Sequence, residues 1–217
     1  KFSPGSDVAC LSVLGYNPED CYTGRAPLES VSLGIELGEN DLAVRCNLIT
    51  ATDGILTDFS AGHVSDKEAT LIMSILNEKL AGRDVKFYAG TSYRNIMIYS
   101  GSDAIEAKCI PPHDIIGKSI TKNLPKGKGS EILFELMRDS FHLLENHEVN
   151  AVRTDLGENP ANMIWLWGQG KRPTLTPFEE LYGISGAVIT GVDLLRGLAT
   201  YIGWNIIEVP GATAYLD

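Results

Sequence analysis

Ser6 is the residue whose type and place point most directly to covalent chemistry. It follows Pro4-Gly5, and Asp7 to Leu14 reads as the opening turns of an apolar helix that stops at Gly15. The first N–H groups of a helix have no intrahelical acceptor and carry partial positive charge, so a hydroxyl there is placed to bind or take up a phosphoryl group. The plainer role for the same residue is the N-cap, its oxygen accepting from a backbone N–H of the first turn. Both roles stay open on local sequence. Phosphoryl transfer also needs cationic groups for the equatorial oxygens and a base or metal ion to activate the attacking oxygen.

The continuation favours the nucleophile. Gly5-Ser-Asp-Val-Ala-Cys-Leu-Ser-Val-Leu-Gly15 and then Tyr22-Thr-Gly-Arg-Ala-Pro-Leu-Glu29 resembles the segment around the nucleophilic serine of the cofactor-independent (2,3-bisphosphoglycerate-independent) phosphoglycerate mutases. The likeness is to their archaeal-type branch, within the alkaline phosphatase superfamily. Asp58-Phe-Ser-Ala-Gly-His-Val64, Ser92-Tyr-Arg-Asn95, Pro111-Pro-His-Asp114, Asn159-Pro-Ala-Asn-Met-Ile-Trp165 and Pro210-Gly-Ala-Thr-Ala214 resemble landmarks of that branch in the same order and cover nearly the whole chain.

The resemblance implies that Ser6 accepts and releases the phosphoryl group while touching one of two divalent metal ions, manganese or magnesium. It also implies an inserted domain that binds the sugar-acid part of the substrate through Arg, His and Asp side chains. The matching motifs offer His63, Arg94, His113, Asp114 and Arg153, with Arg172 and Lys171 in second rank and Arg25 near the serine helix. A guanidinium binds carboxylate or phosphate through paired hydrogen bonds, and an adjacent Asp and His can orient a hydroxyl and move a proton. Each residue has a structural alternative: a turn at His63, a sheet edge at Arg94, a loop cap at His113, a helix C-terminus at Arg153, and a brace to Glu29 at Arg25. Asn95 departs from the pattern, standing where the likeness calls for a histidine.

Family members build their metal site from carboxylates and histidines near both ends of a longer polypeptide. The expectation is therefore an internal piece, inactive by itself and holding no metal. Its parent would interconvert 3-phosphoglycerate and 2-phosphoglycerate through a phosphoserine. The alternatives are a homoserine kinase-like phosphotransferase of the same branch and a non-catalytic module that binds phosphorylated acids.

The elements that must position these residues read as α/β: a mixed sheet with flanking helices, with residues 1–40 as a partial phosphatase-like core, 41–185 as the inserted substrate-binding domain and 186–217 as a βαβ return segment. After the first helix and a turn from Asn17 to Arg25, a second helix is expected over Leu28 to Leu37. Leu42 to Ile49 and Ile55 to Phe59 form an antiparallel hairpin around Asp53-Gly54. Ser65-Asp-Lys-Glu68 is a capping box for a helix with Ala69, Ile72, Ile75, Leu76 and Leu80 on one face, stopped at Gly82. Val85 to Ala89 and Asn95 to Tyr99 are strands, Pro111-Pro112 is an extended loop, and Lys118 to Gly129 is a flexible connector. Ser130 caps a long helix presenting Leu133, Leu136, Met137, Phe141 and Leu144. His142 and His147, five apart, share no helical face and do not form a metal pair. Met163 to Trp167 is a strand, and Thr176-Pro-Phe-Glu179 opens a short helix with proline at its first position. The tail reads as strand Ala187 to Thr190, capping box Thr190 to Asp193, helix to Gly203 and parallel strand Asn205 to Val209.

Composition bounds the partners. The 217 residues are 44% hydrophobic, enough to bury a substantial core, and carry a net charge of −10, which argues against broad binding to nucleic acid or anionic membranes. A small phosphorylated acid remains compatible, since a few converging Arg side chains act locally. Cys10, Cys21, Cys46 and Cys109 lack zinc or disulfide spacing and read as reduced core thiols. No run approaches a membrane span, and the expected location is cytoplasmic.

Overall fold

The computed structural model describes residues 5–80, 84–101 and 104–211. Gly82 as a helix stop and the last part of the Pro210 to Ala214 landmark lie outside the described residues. By contact, the chain forms two compact units, residues 1–43 with 169–217, and residues 44–168. The stretch 169–185, which the sequence grouped with the inserted domain, thus clusters with the terminal segments.

Gly5, in extended conformation, is the N-cap of α1 (Ser6–Val13), so Ser6 is the first helical residue and makes no capping bond. Gly15 (φ 85) follows, and Tyr16 N–H donates back to the Leu11 carbonyl. The expected turn contains a short helix, α2 (Pro18–Cys21), because Asn17 accepts from the Glu19 N–H and Pro18 has the φ that a first helical residue needs. Helix α3 (Ala26–Ser32) stops short of Leu37, since Gly34 turns left-handed at φ 71.

In the second unit, β1 (Leu42–Thr52) and β2 (Ile55–Asp58) pair antiparallel, Thr52 opposite Ile55 and Thr50 opposite Asp58. Asp53 (φ 50) and Gly54 (φ 73) supply the two left-handed residues that a type I′ turn requires. Helix α4 (Asp66–Lys79) begins at Ser65 with both halves of the capping box formed. Strands β3 (Val85–Thr91) and β4 (Arg94–Tyr99) make an antiparallel hairpin. After Pro111 the chain enters a 3₁₀ turn, Pro112–Asp114, where the sequence suggested an extended loop. The segment 118–129 is no loose connector: Leu56 N–H bonds to Lys118 O, Ile120 N–H to Gly54 O, and Lys108 and Lys126 bond reciprocally, while Ile120 is buried.

Helix α5 (Ser130–Leu144) is capped by left-handed Gly129 (φ 74) instead of Ser130, and buries Leu133, Leu136, Met137, Ser140 and Leu144. A Cβ on residue 129 would lie 2.7 Å from the Ala104 carbonyl oxygen, so glycine also admits a neighbouring strand of chain. Helix α6 (Glu148–Asp155) is capped by His147, whose Nδ1 accepts from Val149 N–H. β5 (Met163–Lys171) pairs with β1, and the other strands run in the order β2-β1-β4-β3.

The return part of the first unit holds α7 (Phe178–Tyr182), β6 (Ala187–Val188), α8 (Asp193–Ile202) and β7 (Asn205–Ile206). β6 and β7 are parallel, as the βαβ reading required. Two caps differ from expectation. Pro177 precedes α7 as its cap, and Val192 caps α8 because Thr190 Oγ1 accepts from Val192 N–H two residues on, a turn that competes with the capping box. Leu11, Tyr16, Leu198 and Ile202 form a buried cluster in this unit, with Phe178 and Trp204 packed on it. Burying each large aliphatic side chain contributes about 1.5–3 kcal/mol.

Candidate functional site

In the first unit, Ser6 is exposed at the N-terminus of α1, where unpaired N–H groups and the helix dipole favour an anion. Asp7, to which the sequence gave no role, is buried. Its Oδ1 accepts from Val8 N–H and its Oδ2 from the Tyr22 hydroxyl, tying the start of α1 to the segment after α2. Burial, then the bond to Asp7, drive the Tyr22 phenol far above its ordinary pKa, so it stays a donor. Arg25 braces Glu29 at 2.7 Å one helical turn on, the structural role considered for it.

The second unit joins His63, Arg94 and His113 through a train of aromatic rings. The His63 and Tyr93 rings make a T-shaped pair at 5.8 Å, Tyr93 meets Phe59 at 5.5 Å, Phe59 meets His113 at 6.3 Å, and His113 meets Trp167 at 5.5 Å. The Arg94 guanidinium sits 5.4 Å from the Tyr93 ring centre, and Arg45 sits 4.4 Å over Trp167. Asp114 is exposed, its Oδ1 3.9 Å from His113 Nε2. Two guanidiniums and two imidazoles thus flank one aromatic ridge. Stacking on a ring attracts the cation and fixes the plane in which its fork donates, an arrangement suited to carboxylate and phosphate.

Arg45 was not singled out in the sequence. The available signal was a buried cation inside a strand whose burial is otherwise apolar from Leu42 to Ala51, interrupted only by Asn47 and Thr50. Asn47 fixes the ridge: its Oδ1 accepts from Trp167 Nε1 at 3.0 Å and its amide donates to the Phe59 carbonyl.

His63 comes from an unusual turn. Ala61 (φ 48), Gly62 (φ 63) and His63 (φ 53) are successive left-handed residues, a conformation costing a non-glycine residue roughly 1–2 kcal/mol. Asp58 holds it, Oδ1 accepting from the Ser60 N–H and hydroxyl at 2.8 and 2.7 Å, and Oδ2 from Gly62 N–H and Asn159 Nδ2 at 2.6 and 2.9 Å. Burial would raise the Asp58 pKa, but these donors together outweigh it and hold the carboxyl below its usual range.

Arg153, a substrate-binding candidate on sequence, is a clamp inside the fold. Its side chain is 2% exposed, with Nε donating to Asn159 O, Nη2 to Ala61 O, and Nη1 paired with Glu68 at 2.8 Å and Glu158 at 3.1 Å. The fork is engaged by protein acceptors in the Ala61 turn, in α4 and in the segment after α6. Asn95 is buried likewise, accepting from Gly90 N–H and donating to Ser92 O, so at this position the chain has a hairpin lock where the likeness called for a proton-transfer histidine. Arg172 and Lys171 belong to the first unit. Arg172 lines a cavity of about 490 Å³ with Glu36, Leu37 and Tyr201.

Among the described residues, no three His, Cys, Asp or Glu side chains gather so as to hold a metal ion. Ser6 therefore has no complete set of metal ligands around it among the described residues. The cysteines are free thiols, and only Cys46 is fully buried, where desolvation pushes its pKa up. No helix among the described residues is long and apolar enough to cross a membrane.

This mixed α/β chain matches known proteins in sequence and in fold. The sequence profile of the 2,3-bisphosphoglycerate-independent phosphoglycerate mutases covers residues 1–150. The chain belongs to that family. It is 50% identical over 217 residues to the 2,3-bisphosphoglycerate-independent phosphoglycerate mutase of Methanosarcina mazei, covering all of this chain and 55% of that protein. It is 51% identical over 214 residues to phosphoglycerate mutase 2 of Methanothermobacter thermautotrophicus, covering 98% of this chain and 53% of that one. Among solved structures, the cofactor-independent phosphoglycerate mutase of Thermoplasma acidophilum superposes with a TM-score of 0.63 at 25% identity, over 96% of this chain and 57% of that chain. A Pyrococcus horikoshii protein shares the fold, with a TM-score of 0.70 at 24% identity over 98% of this chain and 49% of that chain. The chain spans about half the length of the curated relatives it matches. Their names do not favour the homoserine-phosphorylating alternative.

Proposed function

We propose that this chain carries two working parts of a phosphoglycerate mutase that interconverts 3-phosphoglycerate and 2-phosphoglycerate. Ser6 is the phosphoryl acceptor in the first unit, and the ridge of His63, Arg94, His113 and Arg45 is the half-site for the acid portion of the substrate in the second. The observation that carries the reading is the ring train, which links residues 63, 94 and 113 across three separate stretches of sequence. Arg45 and Arg94 supply charge for the carboxylate, the two imidazoles donate to hydroxyl and phosphoryl oxygens, and Asp114 beside His113 orients that ring. Divalent metal ions, manganese or magnesium, would activate the serine oxygen and offset phosphoryl charge; the described residues offer Ser6 alone to such a site. The setting for this chemistry is the cytoplasm, with a small phosphorylated acid as the partner.

Titration of the 217-residue chain with 3-phosphoglycerate, followed through its histidine ring signals by NMR, tests the half-site. His63 and His113 should shift together while His142 and His147 stay still, and Arg94→Leu should weaken binding about tenfold, as loss of a charge-assisted contact does. Shifts confined to His142 or His147, or unchanged affinity in Arg94→Leu, would overturn the assignment.

A further inference from the structure

We propose that Asp58 is a positioning residue for His63: its carboxylate holds the Ser60 to His63 turn in the left-handed form that sets the imidazole against Tyr93. The inference rests on the reading of His63 as part of the half-site. Asp58 reaches no ring of the ridge through any of its four bonds; all of them go to the turn itself or to Asn159. Three consecutive left-handed residues are not a conformation that Ala61 and His63 adopt unaided. The turn is gripped from both sides. Asp58 takes the N–H groups of Ser60 and Gly62, and Arg153 takes the Ala61 carbonyl, while Asn159 connects the grips by donating to Asp58 and accepting from Arg153. Gly62 sits inside that grip: a Cβ there would lie 3.2 Å from Arg153 Nη2 and 3.3 Å from Asn159 Cβ, at φ 63. Ser60 and Ala61 are buried and His63 is exposed, so the turn anchors at its start and delivers the imidazole at its end.

The consequence is specific. Weakening Asp58 leaves His63 chemically intact but releases its direction, so the effect on binding should pass entirely through His63. The test is a double-mutant cycle on the 217-residue chain, with 3-phosphoglycerate as the probe and isothermal titration as the readout. His63→Ala and Asp58→Asn should each weaken binding roughly tenfold, and Asp58→Asn should add less than about twofold in the His63→Ala background. In Asp58→Asn the His63 ring protons should also lose the ring-current shift imposed by Tyr93, while the His113 ring signals hold. Gly62→Ala perturbs the same turn by another route and should reproduce both effects, which keeps the test alive if Asp58→Asn does not fold. Equal weakening by Asp58→Asn in both backgrounds, or parent-like His63 signals in Asp58→Asn and Gly62→Ala, would overturn the positioning role. Unchanged affinity in His63→Ala would instead refute the half-site reading, and the ring signals would still decide whether Asp58 orients His63.

Discussion

Replacing Arg153 by leucine should unfold this protein more readily without acting on the ligand directly. The side chain is 2% exposed and makes bonds of 2.8 Å to Ala61 O and 2.9 Å to Asn159 O, besides its pair with Glu68. Leucine supplies comparable apolar bulk but no donor, so two carbonyl oxygens lose their partner at about 1–3 kcal/mol each. The Glu68 carboxylate is 30% exposed and the Glu158 carboxylate 51%, so water takes over much of their share and those pairs add little. The sum, about 2–6 kcal/mol, brackets the usual effect of removing one partner from a buried ionic network. For a chain of this size that lowers the melting temperature by roughly 4–24 °C. Urea and thermal unfolding followed by circular dichroism would measure it, with Arg94→Leu alongside as the converse case: weaker 3-phosphoglycerate binding and stability within about 1 kcal/mol. Arg153→Leu melting like the parent but losing affinity even in the His63→Ala background would show that the guanidinium faces the ligand, and the clamp reading would fall.

The remaining predictions are briefer. Acid should destabilise the second unit through Asp58 and Glu68, whose folded pKa values are depressed: burial opposes this in both, but donors from Ser60, Asn159 and Gly62, and from Ser65 and Arg153, outweigh it. Their contribution is complete above the unfolded carboxylate pKa of about 4 and fades as pH falls through the lower folded values, so urea midpoints should drop below pH 4 and drop less in Asp58→Asn; identical slopes would contradict it. Gly197→Ala should destabilise the first unit by about 1–3 kcal/mol or more, because the added Cβ would stand 1.6 Å from the Leu28 carbonyl oxygen; a parent-like melt would show that α3 and α8 are not so closely apposed. In the complete enzyme, Ser6→Ala should abolish phosphoryl transfer in an enolase-coupled assay while melting within about 0.5 kcal/mol of the parent, since Ser6 is exposed and caps nothing. Retained turnover would remove the serine from the mechanism.

What the sequence revealed was local, and what it hid was distant. Ser65 and Glu68 meet three residues apart, and Asp53-Gly54 sets its own turn, so α4 and the first hairpin could be read directly. The capping box at Thr190 failed for an equally local reason, an alternative bond to Val192 N–H that spacing does not distinguish. Arg153 has the look of a ligand residue because its partners Glu68 and Ala61 lie 85 and 92 positions away. Arg45 drew no attention because Trp167, which it stacks on, belongs to another strand. His63, Arg94 and His113 were legible only through the resemblance; nothing in their spacing announces that Tyr93 and Phe59 would connect them.

The interrupted course of the first unit bears on the order in which the chain folds. Residues 1–43 must find 169–217 across an excursion of roughly 125 residues, and closing so long a loop from an open chain carries an entropic penalty of about 4 kcal/mol. The intervening stretch is continuous and ends in β1 and β5, which are hydrogen-bonded neighbours. Once it has condensed, it acts as a clasp that has already drawn the two distant pieces together, so the late step is a short-range search. Refolding should therefore show a fast phase reported by Trp165 and Trp167 and a slower one reported by Trp204, with the second dependent on the first.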